Sequence, residues 1–292
     1  MRTVLKSKTK EITIDTIGPI TIIGENINPT RRKKLTEGLL SGRLDYVFEL
    51  AEAQIAAGAD VLDVNVGAPG VDEVSMLPQV ALAVAERFDV PICLDSSNRA
   101  ALAAALKVVP GKPLVNSVNG EEASLGTLLP IIKEYEAAVI GLTMDDAGIP
   151  NDPEVRLSIA GRILERAAQI GIPTEDVVID PLVLTVGADQ KAGRVTLTTI
   201  EMVRREFGVN INLGASNVSF GLPDRHTVNQ AFLALAAGAG ASCVITNPEK
   251  LTAIIRAADL LLGRDAYATR FIKDFRKRQA QGLVSDGTPA KS

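Results

Sequence analysis

Short apolar runs rich in β-branched residues alternate with amphipathic stretches along almost the whole chain. The runs predict strands over Ile20–Asn26, Val61–Gly67, Pro91–Ser96, Leu114–Asn119, Ala138–Met144, Val177–Leu182, Asn210–Ser216 and Ser242–Asn247. Several are apolar at nearly every position, the pattern of parallel strands buried on both faces. Between them the period changes to that of a helix. In Leu44–Ala57 the residues Tyr46, Val47, Leu50, Ala51 and Ile55 trace one stripe. Arg99–Val108, Glu154–Ile170, Leu197–Phe207, Thr227–Ala237 and Lys250–Leu262 repeat that pattern. The segments AAGAD before the second strand and QIGIP before the sixth are helix stops followed by turns. Eight successive β-then-α units predict an α/β chain closed into a (β/α)8 TIM barrel. An open doubly wound sheet would want G-x-G-x-x-G after its first strand, and GENINPTR does not supply it. Residues 1–19 alternate enough to predict a hairpin across the barrel bottom. The barrel is expected over 20–265. Residues 266–292 read as a helix and a disordered tail that begins at QGLVSDGTPAKS.

Composition narrows the function. The 292 residues are 46% hydrophobic and 23% charged, the balance of a soluble domain with a sizeable core. A net charge of −4 and aromatics at 3% with no Trp leave neither the basic footprint nor the stacking platforms of a nucleic-acid binder. The apolar runs are of strand length only, and the N-terminus lacks a continuous apolar core, so neither a membrane span nor a signal peptide is expected. Cys93 and Cys243 sit singly inside apolar runs and read as buried free thiols of a cytoplasmic enzyme. With one His and no paired Cys, a zinc site is not expected, and any metal chemistry must arrive on a substrate or partner.

Barrel enzymes place their chemistry at the C-terminal ends of the strands, and polar residues collect there. The first strand ends in Glu25, Asn26 and Asn28. The second carries Asp63 and Asn65, which share a face because side chains alternate with period two. Asp95 and Ser96 end the third strand, Asn116 and Asn119 the fourth, and Thr143, Asp145 and Asp146 the fifth. Asp180 ends the sixth, Asn212, Ser216 and Asn217 belong to the seventh, and Thr246 and Asn247 to the eighth. Singly, such residues cap helices or form turns, and Asp145, Asp146 and Asn247 fit that role. Asp63, Asp95 and Asp180 follow apolar strand residues and start from a partly buried position, where polar groups need partners. The ring is rich in Asn and Asp and poor in cations. That composition suits a neutral heterocycle with adjacent donors and acceptors better than a phosphate, and a pterin has such an edge.

Taken in order, LDVNVG (62–67), CLDSSN (93–98), VNSVN (115–119), GLTMDDAGIP (141–150), VIDPLVL (178–184) and GASNVSFGLPDR (214–225) resemble the pterin-binding methyltransferases. Among these the chain is most similar to the methyltetrahydrofolate:corrinoid protein methyltransferases and the folate domain of cobalamin-dependent methionine synthase, over roughly Ile20 to Leu262. The resemblance implies the same barrel, with Asp95, Asn116 and Asp180 holding the pterin ring. It places Asn217 at N5, the atom that carries the methyl group, with Asp95 joining it in catalysis. Gly214, Ser216 and Arg225 match positions near the ligand, and Asp63 and Asn65 match a supporting motif. It further implies methyltetrahydrofolate or tetrahydrofolate as substrate, a corrinoid (cobalamin) carried by a partner protein, and a homodimer. Dihydropteroate synthases share the pocket but carry a Gly-Glu-Ser-rich second loop and a late Ser-x-Arg segment, where this chain has VGAPGVDEVS and SNVSFG. A dihydropteroate synthase-like condensing enzyme and a non-catalytic pterin-binding subunit are the alternatives. DRHTVN (224–229) starts like a D-x-H-x-x-G corrinoid signature, but Asn229 stands where Gly belongs, so His226 is expected near a helix start and not on cobalt. Since the matched positions hold no Lys or His, the proton that activates N5 is expected from solvent, with the direction of transfer left open.

Overall fold

The computed structural model describes residues 1–284. An N-terminal pair, β1 (Arg2–Lys6) and β2 (Glu11–Asp15), precedes the alternating body. The body runs β3 (Thr21–Ile27), α1 (Lys33–Leu40), α2 (Asp45–Ala56), β4 (Val61–Asn65), α3 (Glu73–Phe88), β5 (Ile92–Asp95), α4 (Arg99–Leu106), β6 (Leu114–Asn119) and α5 (Glu122–Glu134). It continues with β7 (Ala138–Leu142), α6 (Pro153–Gln169), β8 (Val177–Asp180), α7 (Ala192–Phe207), α8 (Arg225–Ala239), β9 (Cys243–Thr246), α9 (Pro248–Leu261) and α10 (Thr269–Ala280). The sheet is parallel, in the order β8-β7-β6-β5-β4-β3-β9, and curls with the helices outside it. Asp72, Asn98, Asp152 and Asn247 cap α3, α4, α6 and α9 through their side chains. Asn247 is thus a cap, and Asp145 is a turn residue that accepts from the Ala147 N–H at 3.1 Å and from Arg162 at 2.6 Å.

The seventh barrel strand, expected over Asn210–Ser216, is shorter and less regular than its pattern suggests. Residues 210–214 close the barrel through two single bridges, Ile179 to Ile211 and Gly214 to Ile245. The bonds are real: Asn212 N–H to Ile179 O at 2.9 Å on one side, and Ile245 N–H to Leu213 O at 2.8 Å on the other. Ser242 Oγ takes the Ile211 N–H at 2.9 Å in place of a ladder carbonyl. The chain then coils into a 3-10 turn over Ala215–Ser219, so Ser216 and Asn217 leave the strand. The disordered tail expected from Gln281 begins with an ordered turn, in which Leu283 N–H reaches Arg278 O at 2.9 Å, and its remainder from 285 lies outside the described residues.

Two apolar cores follow from strand alternation. Outward residues such as Leu62, Leu94, Val115, Val139 and Ile179 pack on the helices. Inward residues Ile23, Val61, Cys93, Leu114, Ala138, Val178 and Cys243 form a second cluster within the barrel, completed by Leu5 and Ile14 of the hairpin. Asn210 fastens the hairpin, donating to Thr3 Oγ1 and Ile14 O, both at 2.9 Å. The hairpin thus plugs the end of the barrel away from the strand C-termini. Leu5 is fully buried, so Leu5→Ala is expected to destabilise the chain by about 2–5 kcal/mol through lost contacts and a residual cavity. Chemical denaturation measures this, and an unchanged midpoint would show that the hairpin is not part of the core.

Candidate functional site

The apolar filling of the barrel gives way to a polar layer two residues further along most strands. On the inward face Ile23 is followed by Glu25, Val61 by Asp63 and then Asn65, and Cys93 by Asp95. In the same way Leu114 is followed by Asn116, Val178 by Asp180, and Asn210 by Asn212. The exceptions are β7 and β9, where Leu142 and Ile245 stay apolar and border the inner cluster. The pocket floor is therefore apolar, with polar walls and two apolar panels.

Register brings the first group together. Asn65, Asp95 and Asn116 lie side by side across β4, β5 and β6. Asn65 Nδ2 donates to Asp95 Oδ2 at 2.9 Å, while its own oxygen accepts the Gly67 N–H at 2.8 Å, which fixes the amide orientation. Asn116 Nδ2 reaches Asp63 Oδ1 at 3.4 Å. Across the barrel Asp180 accepts from Asn212 Nδ2 at 2.7 Å and from the Leu182 N–H at 2.8 Å. A third group stands at the rim, where Ser216 Oγ donates to Glu25 Oε1 at 3.1 Å and Arg225 Nη2 to the Ser216 carbonyl at 2.7 Å. Asn217 contributes only its backbone to the 3-10 turn. Its amide side chain is exposed and among the described residues bonds to nothing, so it does not act as a cap. His226 is the second residue of α8 and faces Gln230 at 2.9 Å.

Charge in this site is expensive. Burial pushes the Asp63 carboxyl well up, and repulsion from Asp95 adds to it. Burial also raises Asp95, against the bond from Asn65. Asp180 is pushed up to about 6 by burial, although Leu182, Asn212 and the Gly214 N–H all favour its charged form. Burial raises Glu25 as well. Among the described residues no Lys or Arg bonds directly to Asp63, Asp95 or Asp180. The fully buried Arg156 instead donates to Pro181 O at 2.6 Å and Leu182 O at 2.8 Å, pinning the loop that carries Asp180.

Some participants were not singled out from the sequence. Glu73, from α3, accepts from Ser96 Oγ at 2.6 Å, a contact that no spacing reveals. Asn212 and Glu25, by contrast, stand among the polar strand-end positions of the sequence, where the period-two rule places them. A cavity of about 330 Å³ opens beside Asp95, Asn116, Asn119 and Leu142, and one of about 270 Å³ beside Glu25, Ser216 and Arg225. A larger cleft, about 690 Å³, lies at the opposite end between Lys6, Lys112 and Lys133. The converging polar layer, not the cleft size, marks the chemical end of this fold. Among the described residues no group of three or more His, Cys, Asp or Glu could hold a metal ion, and no helix is long and apolar enough to cross a membrane.

Comparison with known proteins agrees with this geometry. Residues 24–247 match the family model described as pterin binding enzyme. The chain is 30% identical over 264 residues to the methylcorrinoid:tetrahydrofolate methyltransferase of Eubacterium limosum, covering 88% of this chain and 96% of that protein. It is 30% identical over 245 residues to the methionine synthase of Mycobacterium tuberculosis, covering 80% of this chain but only 21% of that longer protein. Among solved structures it is similar in fold to the 7,8-dihydropteroate synthase of Vibrio fischeri, with a TM-score of 0.69 at 22% identity over 90% of this chain and 99% of that one. A Yersinia pestis dihydropteroate synthase bound to a pterine-sulfa conjugate matches with a TM-score of 0.68 at 18% identity, over 89% and 99%.

The raised Asp180 carboxyl makes stability depend on pH. Its folded value of about 6 stands above the ordinary 3.8, so the folded state holds the proton more tightly than the unfolded chain. Its contribution is fully favourable below about pH 4 and is lost as pH rises to about 6, a difference on the order of 3 kcal/mol. Asp180→Asn should therefore flatten the stability profile between pH 4 and 6 and leave the ligand-free protein no less stable at pH 7.5. Melting curves across that range test this, and a strongly destabilised variant at pH 7.5 would contradict it.

Proposed function

We propose that this chain, which belongs to the pterin binding enzyme family, is a methyltransferase that moves the N5 methyl group between 5-methyltetrahydrofolate and the cobalt of a corrinoid on a separate protein. Support comes from the match over nearly the full length of both chains to a protein named for that transfer. The structural observation that carries the reading is the set of carboxylates, buried Asp63 and Asp180 and half-buried Asp95, met by amides in place of bonded cations. A ligand that brings paired N–H donors would satisfy them.

In this reading Asp180, Asp95 and Asn116 hold the ring nitrogens and amide edge of the pterin. Asn65 and Asp63 keep Asp95 and Asn116 in place, with Gly214 supporting Asp180 from its backbone. Leu142 and Ile245 meet the apolar ring surface. The corrinoid, as co-substrate, supplies the cobalt that accepts or donates the methyl group. A methyl on N5 leaves poorly unless N5 becomes cationic, so the enzyme must favour a proton at that atom. The free Asn217 amide can donate to neutral N5 or accept from its protonated form, following the charge as it develops. Ser216 and Arg225 hold the turn that carries it, and Asp95 joins in stabilising the protonated state. The proton itself is drawn from solvent, and the same groups serve both directions. The free thiols Cys93 and Cys243 suit a reducing cytoplasm. Exposed Leu235, Leu261 and Tyr267 on the α8–α10 side support self-association as a homodimer.

Two outcomes are expected. Asp180→Asn should weaken methyltetrahydrofolate at least about tenfold by calorimetry, because an amide cannot accept both ring donors. Asn217→Ala should lower the single-turnover rate about a hundredfold while changing affinity little, since the lost interaction strengthens mainly in the transition state. The rate is read from the absorbance change of the corrinoid. A full rate would remove Asn217 from the mechanism, and binding without any transfer in the parent protein would reduce the chain to a pterin carrier.

A further inference from the structure

The loop after β3 carries Thr30-Arg31-Arg32-Lys33-Lys34, the only run of four consecutive basic residues in an otherwise acidic chain. Three of the four are accounted for. Arg32 turns inward to Asn26 Oδ1 at 2.9 Å, Lys33 lies 3.8 Å from Glu37, and Lys34 meets Glu49 at 2.9 Å. Arg31 differs. It is exposed and has no hydrogen bond or ion pair among the described residues. Its backbone is also held at φ +60°, a conformation costly for a non-glycine residue. Its guanidinium stands 5.4 Å from the ring centre of Phe220, and Arg225 stands 5.8 Å from the same ring. Phe220 is itself 52% exposed. Arg225 bonds only to neutral acceptors, Ser219 Oγ at 3.1 Å and the Ser216 carbonyl at 2.7 Å. The carboxylate in its field is the partly buried Glu25, which acts without a direct bond.

Phe220 is tied to the reacting position, because its N–H donates to the Asn217 carbonyl at 3.1 Å. In a reduced folate the aminobenzoyl-glutamate side chain leaves the pterin at C6, the carbon bonded to N5. A pterin with N5 at Asn217 must therefore send its side chain out past Phe220, between the β3–α1 loop and the start of α8. That side chain ends in carboxylates, two on the monoglutamate and one more with each added γ-linked residue. We infer that Arg31 and Arg225, held on the two sides of the exit by their shared contact with Phe220, form an anion subsite for these glutamate carboxylates. This rests on the pterin reading above. Arg31 is the specificity-determining residue, since Arg225 also braces the turn under Asn217. Guanidinium groups suit paired carboxylate oxygens, and each added glutamate brings another charge into their field.

The test is the Arg31→Gly variant of the full chain, which removes the guanidinium and suits the positive φ, so a binding loss is not a folding loss. Dissociation constants are measured for a tetrahydropterin without a side chain, for tetrahydrofolate monoglutamate and for the triglutamate. The variant should weaken the triglutamate about tenfold, the monoglutamate less and the bare pterin hardly at all, and flatten the salt dependence of triglutamate binding. Equal loss for all three ligands, or loss for none, would overturn the subsite. Unchanged folate affinities with a raised KM for the corrinoid protein would assign Arg31 to partner docking and overturn it too. Failure of the parent chain to bind any of the three would sink the pterin reading itself, a result distinct from the others.

Discussion

The structure turns on three carboxylates, two buried and one half-buried, inside one end of a barrel, with no cation bonded to them among the described residues. Removing a carboxylate from water is costly unless hydrogen-bond donors replace the solvent. Here the donors are amides and backbone N–H groups: Asn65 for Asp95, Asn116 for Asp63, and Asn212 with Leu182 for Asp180. They are not enough to bring the carboxyls down to ordinary values. A directly bonded Arg would have done so, but would also have consumed the acceptors that a ligand needs. The nearby cation, Arg156, is used on carbonyls of the loop and acts on Asp180 only through space. Below this layer the apolar filling and the hairpin plug close the barrel from the other side. The carboxylates are therefore open to solvent from the rim alone.

Much of the fold is legible because parallel strands covered by helices need nearly continuous apolar runs. What was harder to read has local causes. The seventh strand has the right composition, but Ser242 Oγ takes the Ile211 N–H, and the pairing is reduced to single bridges. The helices α3 and α5 were passed over, and both carry an internal proline, Pro78 and Pro130, a residue that removes a backbone donor and crowds the preceding turn. Their apolar faces, with Leu77, Val80 and Val84 in one and Leu125, Leu128 and Ile132 in the other, outweigh that local cost. Tertiary burial decides the matter where propensity argues against it.

For the site, period two places Asp63 with Asn65 on the inward face, and the same rule applied to each strand identifies Asp95, Asn116 and Asp180. Pairing across strands is a different kind of information. That Asn65 serves Asp95, while Asn116 serves Asp63, depends on the stagger of neighbouring strands, which the local pattern does not contain. Glu73 reaches Ser96 from a helix and Arg31 meets Phe220 from a loop nearly the whole barrel away in sequence. Such residues become visible only when the chain is closed. Asn217 is the instructive middle case. Taken singly, its place after a strand favours a cap or turn and the resemblance a ligand contact, and the side chain's lack of a partner among the described residues decides against the cap.

The barrel by itself does not choose the reaction. Dihydropteroate synthases share this fold at 18–22% identity, while a methylcorrinoid:tetrahydrofolate methyltransferase and a methionine synthase stand at 30%. The groups proposed to hold the pterin sit on β5, β6 and β8, strands of the main ladder, although the β6–β7 register shifts just after Asn116. The groups proposed for chemistry and for the side-chain exit sit where the regular sheet fails, on the 3-10 turn of 215–219 and the β3–α1 loop. That division has a physical basis. A strand in a full ladder cannot turn its side chains away from the alternation, whereas the weakly bridged seventh strand can end early and coil its next residues over the rim. The short ladder at 210–214 thus lets the chain coil at 215–219, with the Asn217 amide exposed and, among the described residues, without a partner. A regular seventh strand through Ser216 would have committed the next side chains either to the barrel interior or to the helices, leaving none of them free at the rim.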